Sequence, residues 1–499
     1  MHLIRNRRGV VACATLLLTA CSTDLTGINV NPNNPTSAPP AALFTSATNS
    51  AITTLNESFF TLSMTSLFAQ HIAQVQYVEE DRGHIRPENI NFWQATLYPG
   101  ALEDLQKVRK AGVAARAPGI WGPATVLQTW VYQNLTDLWG DIPYSQALQG
   151  DSIGGSLTPV YDPQKDIYYG MLKALTDAAT AMKSAAPGGA GLGNGDVIYD
   201  GDLVKWQRFA NTLRARMALR MLKNDRAKAL AELSAAVSAG LLTSNDDNAT
   251  MTWPGDGVFD NPLSRNFATR DDHRVSKTLL DTLIALSDPR IAVYAQPTKA
   301  DPSVYAGLQN GLDNATVAPF FNTTSRPGAI FYPGSTSYGT FGTPAGKSSP
   351  TYLATYAEAE FILAEAAELA IGGATGAAAH YRNGVAASIQ QWGGTAAEAN
   401  TYLARAGVAY AGGAAGLRQI GLQKWIAFYT QGMEAWSEWR RTGNPASIRM
   451  GPQAFSDVPQ VPRRIPYPSD EQSVNAANLA AAIARQGADT YLTRMWWDK

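Results

Sequence analysis

The sequence contains only two cysteines among its 499 residues, and both lie near the N-terminus. Cys13 falls inside a short apolar run, and Cys21 follows directly after that run. If residues 1–20 are removed as an export signal, Cys21 is the single thiol that remains. A disulfide needs two thiols and a cysteine-based zinc site needs several, so the processed chain is expected to form neither.

Motifs for catalysis are also scarce. Four histidines follow residue 20, and they are scattered without the His-Glu-x-x-His pair of zinc hydrolases. The sequence has no Gly-x-Ser-x-Gly elbow, and residues 342–348 place three residues between two glycines where a phosphate-binding loop needs four. Nothing marks two carboxylates as the acid and base of a glycosidase, although a lipid-anchored hydrolase of glycans or peptides stays the main alternative to a binding protein.

Charge of one sign does not accumulate along the chain. Removal of residues 1–20 takes away three arginines and leaves 37 basic against 41 acidic residues, a formal net charge of −4. Proteins that bind nucleic acids gather their basic residues into a patch or stripe, whereas here they are spread out. A nucleic acid is therefore not expected as a partner.

The chain has no long hydrophobic run after Cys21 that approaches the roughly 18 to 20 residues of a transmembrane helix. Before it, three arginines within residues 5–8 precede an apolar stretch at 10–20 that is too short to span a bilayer. Small residues directly before a cysteine are what lipoprotein processing requires. Residues 1–20 are therefore predicted to be a lipoprotein signal peptide, with Cys21 carrying the fatty acyl chains that hold the chain on a membrane. An ordinary secretory signal with a chance cysteine is the alternative.

The remaining chain is predicted to be all-α. Residues 21–40, rich in Asn, Pro, Thr and Ser, indicate a lipidated flexible tether, and 41–499 indicate a single domain because no long linker interrupts the apolar segments. About a dozen segments show helical periodicity, and strand alternation is almost absent. We predict an irregular helical domain with tetratricopeptide-like hairpins and long ligand-binding loops. The predicted hairpins pair residues 352–371 with 377–392 and residues 202–222 with 226–239.

The clearest single helix is predicted over residues 417–441. Its apolar face recurs at spacings of three and four and consists of Trp425, Phe428, Gly432, Trp436 and Trp439. This face is expected to be buried, Gly432 should let another helix approach closely, and residues 443–445 should end the helix. A second helix is predicted over 203–222, with Asp202 as its N-cap.

Two helix-poor regions, residues 242–273 and 298–350, are expected to carry the binding chemistry. Both contain aromatic rings near amide or guanidinium groups, a combination that suits sugar faces or peptide backbones. The predicted ligand-binding residues are Trp253, Phe259, Asn261, Arg265, Tyr332, Tyr338 and Phe341. Trp253 lies in turn-forming sequence, so its ring is expected on an accessible loop. The alternative is that these rings only pin long loops to the body of the protein.

No cofactor and no metal are predicted. A calcium ion held by acidic side chains of the first helix-poor region stays an alternative, because calcium prefers carboxylate oxygens. The candidate side chains are Asp246, Asp247, Asp256 and Asp260. Their spacing does not match the EF-hand loop.

Six strings, in order, resemble the SusD/RagB family of outer-membrane nutrient-binding lipoproteins. They are INVNPNNPTSAPPAALFTSA at 28–47, WGDIPYSQAL at 139–148, WQRFANTLRARMALRM at 206–221, YAEAEFILAEAA at 356–367, QKWIAFYTQGMEAWSEWRRTGNP at 423–445 and RRIPYP at 463–468, followed by a terminal WWDK. The resemblance runs through nearly the whole chain after Cys21. Most of these strings are of the kind that packs helices together, so they characterise the family without naming a ligand.

The resemblance implies a non-catalytic capture protein on the outer membrane. Such a protein is a helical lid, with tetratricopeptide-like hairpins, on a SusC-like TonB-dependent transporter that imports the captured oligomer. The wording of the strings leaves an oligosaccharide and an oligopeptide open as the cargo. Display on the cell exterior is expected, although only Asp24 follows Cys21 closely where many relatives carry a run of acids. A purely structural envelope scaffold is a third alternative.

Overall fold

Helices form most of the protein, as the sequence predicts. The computed structural model describes residues 38–86, 90, 93–150, 154–333 and 345–498, with 54% helix and 5% strand. The predicted signal peptide, Cys21 and most of the predicted tether lie outside the described residues. Within these residues the helices of eight or more residues, numbered α1 to α13, are Pro40–Asn56, Glu103–Ala114, Pro118–Trp139, Gln164–Lys183, Leu203–Met221, Arg226–Ala239, Lys277–Leu286, Tyr356–Glu368, Ala377–Gln391, Ala396–Leu403, Gly413–Ala427, Gly432–Thr442 and Ala476–Gln486.

Consecutive helices pack on each other as hairpins. Helices α2 to α6 pack in sequence order, and α8 packs on α9. Both predicted hairpins are confirmed, since α5 contacts α6 and α8 contacts α9. The predicted N-cap is also present, because the Asp202 carboxylate accepts hydrogen bonds from the N–H groups of Val204 and Lys205 at 2.9 and 3.1 Å. All-α class and hairpin architecture thus follow from periodicity and capping.

The helix predicted over residues 417–441 is in fact two helices, α11 and α12. The chain turns between them at Thr430, which has a φ of 72°, and α12 restarts at Gly432. A Cβ on Gly432 would lie 2.5 Å from Ser66 Oγ, so only glycine allows this approach of the 61–68 segment. The predicted stripe is nonetheless buried throughout, and Gly443, at a φ of 74°, ends α12 as expected.

Short helices and strands connect the longer helices. Two π-helical segments lie at Thr61–Thr65 and Trp93–Leu102, and shorter α-helices lie at Ser58–Phe60, Ser66–Phe68, Pro262–Phe267, Ile291–Tyr294, Asn314–Val317 and Glu471–Val474. The described residues contain six strands, β1 to β6, at Ile72–Gln74, Ile142–Pro143, Tyr161–Asp162, Ala249–Met251, His273–Val275 and Thr351–Ala354. They form three antiparallel pairs in the described part of the chain, β1 with β5, β2 with β3 and β4 with β6.

The core is unusually rich in indole rings. Pro40–Lys499 forms one compact unit. Fully buried tryptophans are Trp139, Trp206, Trp253, Trp392, Trp425, Trp436 and Trp497. Burial of each of these large side chains contributes several kcal/mol to the free energy of unfolding. The helices are therefore held together mainly by apolar burial. No helix of the described residues is both long and apolar enough to cross a membrane.

Candidate functional site

The loop that follows β1 exposes one aromatic ring, that of Tyr77, to solvent. Val75 and Val78 are buried at 2% and 0% exposure, packed with Leu308, Leu312 and Val317. Tyr77 lies between these two anchors with a φ of 56° and is 53% exposed. The apolar flanks hold the loop on the body of the protein, and the ring between them is left facing solvent.

Hydrogen bonds close the base of this loop. The side-chain amide of Gln74 donates to the Glu80 carboxylate at 3.1 Å and accepts from the backbone N–H of Asp81 at 3.1 Å. The backbone N–H of Gln74 donates to the Asp81 carboxylate. Asn310 donates to the other Asp81 oxygen at 2.7 Å. Burial raises the Asp81 pKa to about 7, against the lowering effect of these donors. These hydrogen bonds fix the base of the loop that carries Tyr77.

Tyr77 contributes to two concavities, one on each side of the loop. The first has a volume of about 500 Å³ and is lined by Val75, Gln76, Tyr77, Glu79, Asn314, Ala318 and Phe321. Arg274 holds Phe321 in place. Its guanidinium lies 4.7 Å from the centroid of the Phe321 ring and donates to the Phe321 backbone carbonyl at 2.6 Å. An aromatic surface with amide groups of Gln76 and Asn314 beside it thus opens to solvent.

The second concavity has a volume of about 140 Å³ and lies toward β5. Its lining consists of Ser58, Phe59, Ser63, Gln74, Tyr77, Arg86, Asn266, Arg270, Asp272 and His273. Phe59 is 39% exposed, so a second aromatic ring faces the ligand side. The side-chain nitrogen of Asn266 is buried and has no hydrogen-bond partner among the described residues.

The charges around Tyr77 are mostly compensated. The guanidinium of Arg270 lies 5.1 Å from the Tyr77 ring centroid, and its Nε donates to Asp272 at 2.5 Å. Arg86 pairs with Glu80 at 2.5 Å. Burial, reinforced by the neighbouring positive charges of Arg270 and Arg274, lowers the His273 pKa to about 3, so its ring is neutral at physiological pH. Aromatic rings, amides and paired ions together suit a polar uncharged ligand with apolar faces.

Two of the predicted ligand-binding residues are parts of the scaffold instead. Trp253 is only 1% exposed, and its indole N–H donates to Thr351 Oγ at 2.9 Å, so the expectation of an accessible loop ring is wrong. Asn261 is 2% exposed and caps the helix Pro262–Phe267. Its side-chain nitrogen donates to the carbonyl of Ser349 at 2.8 Å. Both side chains tie the first helix-poor region to the start of β6.

The other predicted residues are spread over the surface. Phe259 is 44% exposed, and Arg265 is exposed with a hydrogen bond to the Asp260 carbonyl at 3.2 Å. Tyr332 is half-buried and stacks on Phe267 with ring centroids 4.7 Å apart. Neither Phe259, Arg265 nor Tyr332 lines the two concavities at Tyr77, and their role in binding stays a prediction. Tyr338 and Phe341 lie outside the described residues.

Three of the four aspartates weighed for calcium are engaged separately. Asp247 pairs with Arg208 at 2.9 Å, Asp260 pairs with Lys347 at 3.2 Å, and Asp256 accepts from the N–H groups of the next turn. Among the residues that the structure describes, no three His, Cys, Asp or Glu side chains lie close enough together to hold a metal ion. A calcium site is therefore not supported by the geometry of these residues.

Sequence reasoning missed the centre of the site. The two predicted helix-poor regions do contribute, through Asn266 and Arg270 on one side and Asn314 and Phe321 on the other. Tyr77, however, lies in neither region. The charged run of residues 79–82 gives no signal for the exposed ring, because Glu80 and Asp81 within it are buried at 0% and 5% exposure.

The fold and this surface define a helical protein with an open, aromatic and amide-lined binding surface. A SusD-like family model, described as starch-binding associating with outer membrane, matches residues 32–468. The chain belongs to this SusD-like family.

Solved structures give the same result. A chitin-binding protein is 28% identical over 92% of this chain and 100% of its own, with a TM-score of 0.78. A SusD homologue from Bacteroides uniformis is 25% identical over 92% of this chain and 99% of its own, with a TM-score of 0.77. A chitin-binding SusD homologue from Flavobacterium johnsoniae, 24% identical over 91% of this chain and 98% of its own with a TM-score of 0.77, shares the fold. A comparison with curated protein sequences gives no match.

Proposed function

We propose that this protein captures a glycan oligomer at the outer membrane, on the two concavities that share Tyr77, and does not cleave it. The observation that carries the proposal is the exposed Tyr77 ring, held between two depressions whose rims bear amide groups. A ring of this kind stacks on the apolar face of a sugar, and amides bind its hydroxyl groups. The family description and the chitin-binding relative favour a glycan over a peptide.

The captured oligomer is passed to a SusC-like TonB-dependent transporter in the same membrane. This step rests on the resemblance to the SusD/RagB family and on a family description that names the outer membrane. Acyl chains on Cys21 hold the protein there, on the outer surface of the cell. Cys21→Ala should therefore release the protein into the soluble fraction, and retention of this variant in salt-washed membranes would contradict the anchor.

Binding is tested with the protein in soluble form, as Cys21→Ala, by calorimetric titration with N-acetylglucosamine hexamers, maltohexaose and a defined peptide pool. Tyr77→Ala should weaken glycan binding about tenfold, close to 1.4 kcal/mol, because the stacking surface is lost. Tyr77→Phe keeps the ring and should bind almost as the parent does. Phe259→Ala tests the ligand-binding role predicted from the sequence for an exposed ring outside both concavities, and if the site lies at Tyr77 this variant should not change the affinity.

The same pools are assayed for cleavage products. Glycan binding without cleavage supports capture, whereas turnover would support the hydrolase alternative. Binding of the peptide pool alone would replace the glycan by a peptide cargo. Unchanged affinity in Tyr77→Ala would show that the glycan does not bind at the loop after β1. Loss of binding in Phe259→Ala would show instead that the glycan binds at the first helix-poor region.

A further inference from the structure

A third concavity lies among the hairpin helices, away from Tyr77. It is formed by α2, α3, α4 and the segment after β2, has a volume of about 230 Å³, and shares no lining residue with the two concavities at Tyr77. The lining residues described contain a single charged side chain, Arg109, and no acid. Arg109 is half-buried and forms no ion pair in the described part of the chain. Arg109 is therefore a cation without a counter-charge at this concavity, and an arginine in that situation suits an anionic ligand.

Two glutamines hold the Arg109 guanidinium in one orientation. Its Nη1 donates to Gln106 Oε1 at 3.1 Å and to Gln128 Oε1 at 2.9 Å. Gln128 is 5% exposed, and its nitrogen donates to the Leu102 carbonyl at 3.3 Å, so its oxygen is turned toward Arg109. One edge of the guanidinium is thus fixed by neutral acceptors.

The opposite edge of Arg109, formed by Nε and Nη2, has no acceptor among the described residues, and neither atom is fully buried. Other arginines of this chain use that same edge to grip a carboxylate. Arg216 donates from Nε and Nη2 to Glu358, both at 2.6 Å, and Arg290 does so to Asp288 at 2.9 and 2.6 Å. The free edge of Arg109 has the geometry for a bidentate carboxylate.

The nearby acids are engaged elsewhere. Asp162 accepts from the N–H groups of Tyr144 and Ser145 at 3.0 and 2.7 Å and from the Ser145 hydroxyl at 2.7 Å. Glu103 lies 3.6 Å from Lys107. Neither carboxylate forms an ion pair with Arg109, so the free edge of its guanidinium is open to a carboxylate of a ligand.

Two phenol groups line the same concavity as Arg109. Tyr132 and Tyr144 line the concavity with ring centroids 4.8 Å apart, and neither hydroxyl has a hydrogen-bond partner among the described residues. Tyr132 is 95% buried, since its exposure is 5%. Burial raises the Tyr144 pKa to about 12 against the smaller opposing effect of Arg109, so the phenol remains a neutral donor. Hydroxyl partners for a polar ring are therefore present next to the cation.

We infer that this concavity binds a single carboxylate-bearing sugar unit, a uronate, with the free edge of Arg109 on the carboxylate and the phenols of Tyr132 and Tyr144 on the ring hydroxyls. The volume lies below the roughly 300 to 1,000 Å³ of sites for drug-sized ligands, which suits one sugar unit and not an oligomer. The protein then has two sites of different chemistry, one for an uncharged glycan at Tyr77 and one for an anionic sugar among the hairpins.

The test is a ligand-observed NMR titration of the soluble chain with sodium glucuronate and with glucose, at low salt and without phosphate or sulfate. Glucuronate should bind roughly tenfold more tightly than glucose, because a charge-assisted bidentate contact is added. Arg109→Gln should abolish that preference. Arg109→Lys keeps the charge but lacks the fork, and should lose most of it. Lys110→Gln, an exposed neighbour on the same helix with the same charge change, should bind as the parent does.

Several results would overturn the inference. Equal binding of glucuronate and glucose by the parent protein would do so, as would an unchanged preference in Arg109→Gln with a normal melting curve. Binding of an acidic peptide but not of glucuronate would assign the cation to a protein partner instead. Tyr77→Ala separates this site from the proposed function, since it should weaken glycan oligomers and leave glucuronate binding intact.

Discussion

Arg216 and Glu358 form a bidentate ion pair in the core, with Nε to Oε1 and Nη2 to Oε2 both at 2.6 Å. The pair joins α5 to α8, and its side chains are 1% and 0% exposed. Arg216 also lies 3.1 Å from Glu434 of α12, while Arg220 pairs with Glu434 and with Asp137 of α3. Four helices that are distant in sequence thus meet at one buried ionic network.

Glu358→Ala should lower the free energy of unfolding by about 3 to 5 kcal/mol, because it leaves the Arg216 guanidinium buried without its bidentate partner. Urea unfolding measures the change. The matched control is Asp281→Ala, which breaks an exposed pair with Lys277 whose side chains are 54% and 53% exposed. That variant should lose less than about 1 kcal/mol. Equal losses in the two variants would show that the buried network does not stabilise the fold.

Trp253→Ala should lower stability by about 3 to 5 kcal/mol and leave glycan affinity unchanged, because the buried indole packs in the core and donates to Thr351. The two quantities are measured by urea unfolding and by calorimetric titration at a temperature where the variant is folded. Phe259→Ala, 44% exposed, serves as the comparison and should change stability little. A normal unfolding midpoint together with weakened glycan binding in Trp253→Ala would contradict this prediction and show that the Trp253 ring contacts the ligand.

The fold is predictable where local signals agree with the tertiary structure. The 203–222 helix, its Asp202 cap and both hairpins follow from periodicity and capping alone. The family-like strings are scaffold for a physical reason, since three of them hold Arg216, Glu358 and Glu434 of the buried network. The break at Thr430 was not predictable, because Gly432 is positioned by contact with Ser66, more than 360 residues earlier in the chain.

The site is less predictable because contacts between residues distant in sequence decide which aromatic rings are exposed and which are buried. Trp253 has the local sequence of an exposed turn, but Thr351 lies 98 residues away and captures its indole N–H. Tyr77 is exposed because Val75 and Val78 are anchored on residues 308–317, a contact that the local sequence does not reveal. Composition located two of the segments that line the site and could not decide which ring faces solvent.

His71 should make stability depend on pH in the acid range. Its ring is 0% exposed, its Nε2 lies 3.0 Å from the Trp425 carbonyl, and its Nδ1 has no partner among the described residues. Burial lowers its pKa from 6.5 to about 3, only partly offset by the hydrogen bond to Trp425. The unfolded chain therefore binds a proton below pH 6.5 that the folded chain does not bind until about pH 3.

The stability contributed by neutral His71 is complete above pH 6.5 and is lost as the pH falls from 6.5 toward 3. Between pH 7 and pH 5 this group alone should reduce the free energy of unfolding by about 2 kcal/mol. Urea unfolding of His71→Gln over the same range should therefore show a shallower pH dependence than the parent protein. Parallel curves for the parent and His71→Gln would mean that this ring already takes up its proton in the folded protein.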